Sequence, residues 1–184
     1  MTALEARVAR LEAESQIRQL IAHYCFDIDD RLIESIRDLF TEDAVLKSAD
    51  GVMYAEGPDA IIEQYHGRFD ALGPGHHFMH DVQIDFVGDG LQEATGRVSG
   101  HAELVRNGKM MLAALRYADR YRNTEKGWKF AEREIAFLYY VPQSDYPGIL
   151  LESNRNRAYD TPGAADFPER LASWITYEKS RDRA

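Results

Sequence analysis

Asp29 and His77 are the pair whose residue types and positions could do chemistry together. Asp29 closes the run Ile17-Arg-Gln-Leu-Ile-Ala-His-Tyr-Cys-Phe-Asp-Ile-Asp29, on the edge of an apolar helical face. A carboxylate against apolar surface loses solvation, so it must be paired or it becomes a proton carrier. A partner is available in the strand-like segment Gly75-His-His-Phe-Met-His-Asp81. Strand alternation puts His77 on the face opposite Phe78 and His80. An imidazole works as a general base when its pocket is dry and its tautomer fixed. A carboxylate on one ring nitrogen fixes that tautomer and stabilises the imidazolium. The competing reading is structural: an acid at a helix end that caps the next helix, and a histidine satisfied in the core or at the surface.

Three aspartates compete at this helix end. At about 100° per residue, Asp29 falls roughly 80° from the centre of the Ile17, Ile21 and Ile28 stripe. Asp27 falls roughly 120° away on the other side, and Asp30 roughly opposite. Phase therefore selects Asp29. Arg133 lies in Ala131-Glu-Arg-Glu-Ile135, in phase with Ile135, Phe137 and Tyr139. An arginine on an apolar strand face is a buried ion pair, an anchor for a substrate oxygen, or a snorkelling surface group. Tyr24, Tyr54 and Tyr117 could donate hydrogen bonds to a carbonyl or leaving hydroxyl, or serve as core aromatics. Arg97, Ser99, His101 and Glu103 alternate on one strand face, which is either pocket or subunit interface. Their small neighbours Gly96, Gly100 and Ala102 suit close backbone approach.

Other chemistries find little support. His76, His77 and His80 lie on a strand, lack the His-Glu-x-x-His helix spacing and have no evident third ligand, so no metal is expected. Gly88-Asp-Gly90 sits in a hairpin and opens no helix, which is not a nucleotide fingerprint. No Gly-x-Ser-x-Gly segment anchors a serine triad. The single cysteine, Cys25, lies in an apolar helical stripe and reads as a small buried residue, so no internal disulfide or zinc ribbon forms.

The 184 residues carry a net charge of −9. That charge argues against nucleic acid and anionic membrane surfaces, both of which need a basic patch. The N-terminal residues are amphipathic and charged, without an apolar signal core, and no segment approaches the ~18 apolar residues of a membrane span. A cytoplasmic location is the default expectation.

The elements that must position the pair follow from periodicity. Residues 3–28 predict one long helix, its first turns projecting as an arm, and residues 32–40 a short second one. A strand at 44–48 returns through Ala49-Asp-Gly51 as 52–55. Gly57-Pro58 opens a third helix to about Leu72, ended by Gly73-Pro-Gly75. Strands are then expected at 76–87, 92–106, 109–122 and 128–141, with Asn107-Gly108 a strong hairpin signal. Helices first and strands after give an α+β class, three helices on a strongly curved mixed or antiparallel sheet. Residues 1–141 form the domain. Residues 142–184, with four prolines, form an apolar extension packed on the same or a neighbouring subunit, with a short helix at 167–179.

Several of these segments together resemble the SnoaL-like branch of the nuclear transport factor two-like superfamily, a cone-shaped α+β fold. They are the helix ending in Asp29-Asp-Arg31, the Phe40-Thr-Glu-Asp-Ala44 turn, Gly57-Pro-Asp-Ala-Ile61, the His77 strand, Tyr117-Ala-Asp-Arg-Tyr121 and Gly127-Trp-Lys-Phe130. Within that branch the chain looks most like scytalone dehydratase and hexachlorocyclohexane dehydrochlorinase, cofactor-free lyases with an aspartate–histidine dyad. The resemblance matches their aspartate to Asp29 and their histidine to His77. Where the dehydrochlorinase has a lysine, this chain has Tyr24. A second pocket histidine of the dehydratase pattern corresponds best to His101.

The resemblance implies a cofactor-independent lyase acting on a small aromatic, lignin-derived or polyketide-like substrate, eliminating water or a fragment such as formaldehyde. Catalysis falls to His77 and Asp29, substrate contacts to Tyr24, Tyr54, Arg133, His101 and Tyr117. The alternatives are a ligand-binding module without chemistry and a structural subunit like the small subunit of ring-hydroxylating dioxygenases. The apolar tail and an exposed sheet face suggest a homo-oligomer, dimer or trimer.

Overall fold

The computed structural model describes residues 2–159 and 161–181. Helix α1 spans Ala3–Asp30, α2 Ile33–Asp38 and α3 Gly57–Ala71. Strands are β1 Phe40–Ser48, β2 Tyr54–Glu56, β3 Leu72–Phe86, β4 Glu93–Arg106, β5 Lys109–Thr124 and β6 Gly127–Pro142, and a last helix, α4, covers Ala172–Arg181. The six strands form one sheet in the order β2-β1-β6-β5-β4-β3. It is mixed: β1 runs parallel to β6, and every other pair is antiparallel.

Local signals account for the boundaries. Thr2 caps α1 with a capping box: its hydroxyl accepts from the Glu5 N–H, and the Glu5 carboxylate accepts from the Thr2 N–H. The helix stops at Arg31, which takes the left-handed conformation at φ 58°. Asn107 and Gly108, at φ 48° and 74°, form the expected two-residue hairpin between β4 and β5.

Three boundaries differ from the sequence reading by more than two residues. β1 starts at Phe40 because Phe40 pairs with Phe130 of β6, a distant partner that local pattern does not reveal. β3 starts at Leu72, so Gly73-Pro-Gly75 belongs to the strand; a Cβ on Gly75 would stand 2.7 Å from the Leu104 side chain, so only glycine lets β4 lie this close. The last helix is Ala172–Arg181 rather than 167–179.

Helices α1 and α3 cover one face of the sheet and enclose the core with it. β4 alternates strictly there: Ala94, Gly96, Val98, Gly100, Ala102 and Leu104 are buried. The small residues make room for large partners, Tyr121 against Gly96 and Met79 against Gly100. The first turns of α1 project, with Leu4, Val8 and Leu11 exposed.

The extension from residue 142 binds its own chain. β1 leaves β6 at Ser48–Ile135, and the tail takes over the vacated edge. There the Tyr140 N–H donates to Arg155 and the Arg157 N–H donates to Tyr140. The Asp166 N–H donates to Phe137, whose own N–H donates to the Asp166 carboxylate.

Candidate active site

Asp29 sits in the last turn of α1, which packs across β3. β3 is an outer strand, so the N–H groups on its free side have no strand partner. The His77 N–H donates to Asp29 Oδ2 at 2.8 Å, and His77 Nδ1 lies 2.6 Å from Asp29 Oδ1. One carboxylate thus grips the backbone and the ring of the same residue. The Asp29 side chain is 8% exposed and the His77 side chain 19%. With Asp29 ionised, Nδ1 carries the proton and Nε2 holds the lone pair. Among the described residues Nε2 makes no hydrogen bond, so the ring can accept a proton there. His76, half-exposed, brings its own Nδ1 to 3.0 Å from Oδ2.

Helical phase misjudged one neighbour. Asp27 is buried, because α2 covers that side of α1 and the Ser35 hydroxyl donates to Asp27 at 2.5 Å. It ties two helices together and stands apart from His77.

Further along α1, Tyr24 is the hub of an aromatic interior. Its ring meets Phe40, Tyr65, Tyr117 and Phe130 edge-on, and its hydroxyl is 2.5 Å from that of Tyr65. Arg133 is fully buried among these rings, its guanidinium carbon 4.1 Å from the Tyr24 ring centre and 4.0 Å from that of Tyr117. Arg133 Nε and Nη2 donate to Asp119 at 2.9 and 2.8 Å, and the Tyr121 hydroxyl donates to the same carboxylate at 2.7 Å. Burial opposes the Arg133 charge; Asp119 outweighs it and holds the guanidinium protonated more firmly than usual. Burial, and next to it Tyr24, pushes the Tyr65 and Tyr117 hydroxyls well above the usual phenol range, so both stay donors. Cys25 is pushed up to about 11, by burial first, with Arg133 opposing and Asp29 adding. It is a core thiol, as its place in the stripe suggests.

Tyr54 and His101 are corrections. Tyr54 lies on β2, the edge of the sheet opposite β3, exposed and hydrogen-bonded to Glu56, so it is not part of this interior. His101 pairs with Phe78 in register and therefore points to the outer face, away from His77, whose opposite number is Ala102. There it stacks on Phe78 at 4.5 Å and meets His80 Nε2 at 2.6 Å. Arg97 and Ser99 share that outer face and line a shallow cleft of about 300 Å³ with Asp81 and Arg116. Another cleft, of about 360 Å³, is lined by Phe40, Asp43, Arg122 and Lys129 and does not reach the dyad. Asp119 and Tyr65 escaped the sequence reading although both carried a signal: Asp119 is an acid in phase with Tyr117 and Tyr121, and Tyr65 follows Ile61 on the α3 stripe.

The model of the SnoaL-like domain matches residues 9–134, more than half of the chain. The chain belongs to the SnoaL-like family. Solved structures agree on its fold. A hexachlorocyclohexane dehydrochlorinase, LinA type 2, is 18% identical with a TM-score of 0.69, covering 76% of this SnoaL-like chain and 94% of its own. A scytalone dehydratase-like protein from Novosphingobium aromaticivorans is 20% identical with a TM-score of 0.69, covering 92% and 99%. A protein named as an aromatic ring hydroxylase from the same organism is 25% identical with a TM-score of 0.67, covering 73% and 96%. No curated protein matches the chain.

Proposed function

We propose that this SnoaL-like protein is a cofactor-independent lyase in which His77, oriented by Asp29, is the general base. The observation that carries the reading is the two-point grip of Asp29 on the ring and backbone of His77. Such a grip leaves the imidazole one orientation and one tautomer, which a proton acceptor needs before it meets substrate. Neighbours whose names include dehydrochlorinase and dehydratase support an elimination. The ring-lined interior and the relative named for aromatic ring chemistry support a small aromatic substrate.

In the proposed reaction His77 Nε2 takes a proton from carbon. The C–H electron pair becomes the new double bond as the neighbouring C–O bond breaks. The departing hydroxyl takes a proton, from the Tyr24–Tyr65 hydroxyl pair or back from His77, and leaves as water. When the fragment lost is formaldehyde, the proton comes from a hydroxymethyl oxygen, the O–H pair becomes the C=O bond of formaldehyde, the C–C pair becomes the alkene and the neighbouring C–O bond breaks as before. Tyr24 lies five residues before Asp29, a rise of about 7.5 Å along the helix. Arg133, with its Asp119 partner, holds the rings in place. Tyr117 contributes ring surface.

The test is turnover of hydroxylated aromatic and diaryl alcohols by wild type and by His77→Ala. Loss of about 10²–10⁴-fold in kcat is expected for removal of one general base. Turnover that survives in His77→Ala would refute the mechanism. A non-catalytic subunit would instead turn over nothing and co-purify with a larger iron–sulfur protein.

A further inference from the structure

The buried and half-buried arginines met so far all have carboxylates: Arg133 has Asp119, Arg155 has Glu169 and Arg157 has Asp145. Arg68 and Arg106 have none among the described residues. Arg106 ends β4 in the phase of Ala102 and Leu104, which places it on the inner face of the sheet, and its Nε is buried without a hydrogen-bond partner. Its register partner is Leu72, directly after α3, and the Asn107 N–H donates to Ala71 O at 2.9 Å. Arg68 stands one turn before Leu72, its guanidinium carbon 5.6 Å from the Tyr65 ring centre. Tyr65 in turn touches Tyr24 through their hydroxyls. Both cations therefore converge on the inner side of the α3 terminus.

Burial works against the Arg68 charge, and the groups that support it are the phenols of Tyr65, Tyr24, Tyr117 and Tyr140. Tyr140 also lies beside Arg106, its phenol within hydrogen-bonding reach of the guanidinium. Phenols supply ring faces and dipoles but no counter-charge. The carbonyls at the end of α3 favour a cation at Arg68. They do not account for the buried, unpartnered Nε of Arg106. An anion from outside the chain stabilises half-buried guanidinium groups that lack a carboxylate.

We propose that Arg68 and Arg106 form an anion subsite that takes the carboxylate of an aromatic acid. The proposal rests on the reading of His77 as the base and narrows its substrate class. Ala102 lies opposite His77, and Arg106 is four residues further along β4, about 13 Å at strand rise. That span suits an acid of more than one ring, its carboxylate on the arginines and its reacting carbon at the dyad. The overall charge of −9 makes casual binding of anions elsewhere unfavourable, which sharpens the test.

The experiment is calorimetric titration of the full chain with biphenyl-4-carboxylate and its neutral counterpart biphenyl-4-methanol, in wild type, Arg68→Gln, Arg106→Gln and His77→Ala. Wild type is expected to prefer the carboxylate by about tenfold or more, the scale of a charge-assisted hydrogen bond. The preference should vanish in each arginine variant, with the fold checked by circular dichroism, and persist in His77→Ala. Equal binding of the two probes, a preference that survives both arginine replacements, or inorganic phosphate binding as tightly as the carboxylate would each overturn the subsite. Because binding is read without turnover, a missing lyase activity leaves this result standing on its own.

Discussion

A carboxylate that holds both the ring nitrogen and the backbone N–H of one residue acts on orientation more than on charge alone. Asp29→Asn tests that distinction. The amide oxygen can serve one of the two His77 donors, but its NH2 group faces the other, so the ring turns or changes tautomer. The expected outcome is loss of kcat by about 10²–10⁴-fold with little change in stability, read by steady-state kinetics beside urea unfolding. A second prediction at this scale concerns Cys25, whose thiol is raised from 9.0 to about 11 by burial. A folded-state value above the unfolded one means the native state keeps its proton longer. The stabilisation is complete below pH 9 and is lost as pH climbs from 9 to about 11. Wild type should therefore lose about 2–3 kcal/mol across that window relative to Cys25→Ala, measured by denaturant midpoints at each pH. Phase arithmetic singled out Asp29 and His77 among their neighbours, and the structure brings the two within hydrogen-bonding distance. It failed for Asp27, because which side of α1 is covered depends on α2, whose docking is a tertiary fact.

The β5–β6 pair carries the heaviest electrostatic commitment of the fold. Asp119 and Arg133 are register partners on adjacent antiparallel strands, and both side chains are fully buried. Removing one partner strands the other charge in a ring-lined interior. Asp119→Asn is expected to cost about 3–5 kcal/mol in unfolding free energy. Replacing both at once, Asp119→Leu with Arg133→Met, should recover most of that loss, because no charge is then left behind. Failure of the double variant to recover would mean that the pair sets the geometry of the rings around it. Periodicity resolved the helices and the four long strands to within a few residues, and Asn107-Gly108 marked its hairpin outright. What it missed were features set by partners far along the chain: the start of β1 on Phe130, the strand character of Gly73-Pro-Gly75, and the pairing of Asp119 with Arg133. For Tyr54 and His101 the residue types were plausible, but strand order and register put them on the far edge and the outer face.

At the scale of the whole molecule, the sheet has unequal protection along β6. Its first half is paired to β1, and its second half is completed by Arg155, Arg157 and Asp166 of the tail. Arg155 anchors that segment, donating to the carbonyls of Leu138, Glu152 and Phe167 and to the Glu169 carboxylate. Ile149, Ala165 and Phe167 are buried under it, whereas α4 buries none of its residues. The two parts of the extension should therefore behave differently when removed. Deleting residues 172–184 removes a helix that contributes no buried side chain and should leave the unfolding midpoint within about 0.5 kcal/mol of wild type. Deleting residues 142–184 strips the edge of β6, exposes Phe137 and Tyr140, and opens a row of unpaired N–H and C=O groups to another chain. That variant should unfold at clearly lower denaturant and elute as aggregate on size exclusion. If the shorter deletion proves as damaging as the longer one, α4 must be covered in solution, and the exposed Trp174, Ile175 and Tyr177 mark where a second copy docks.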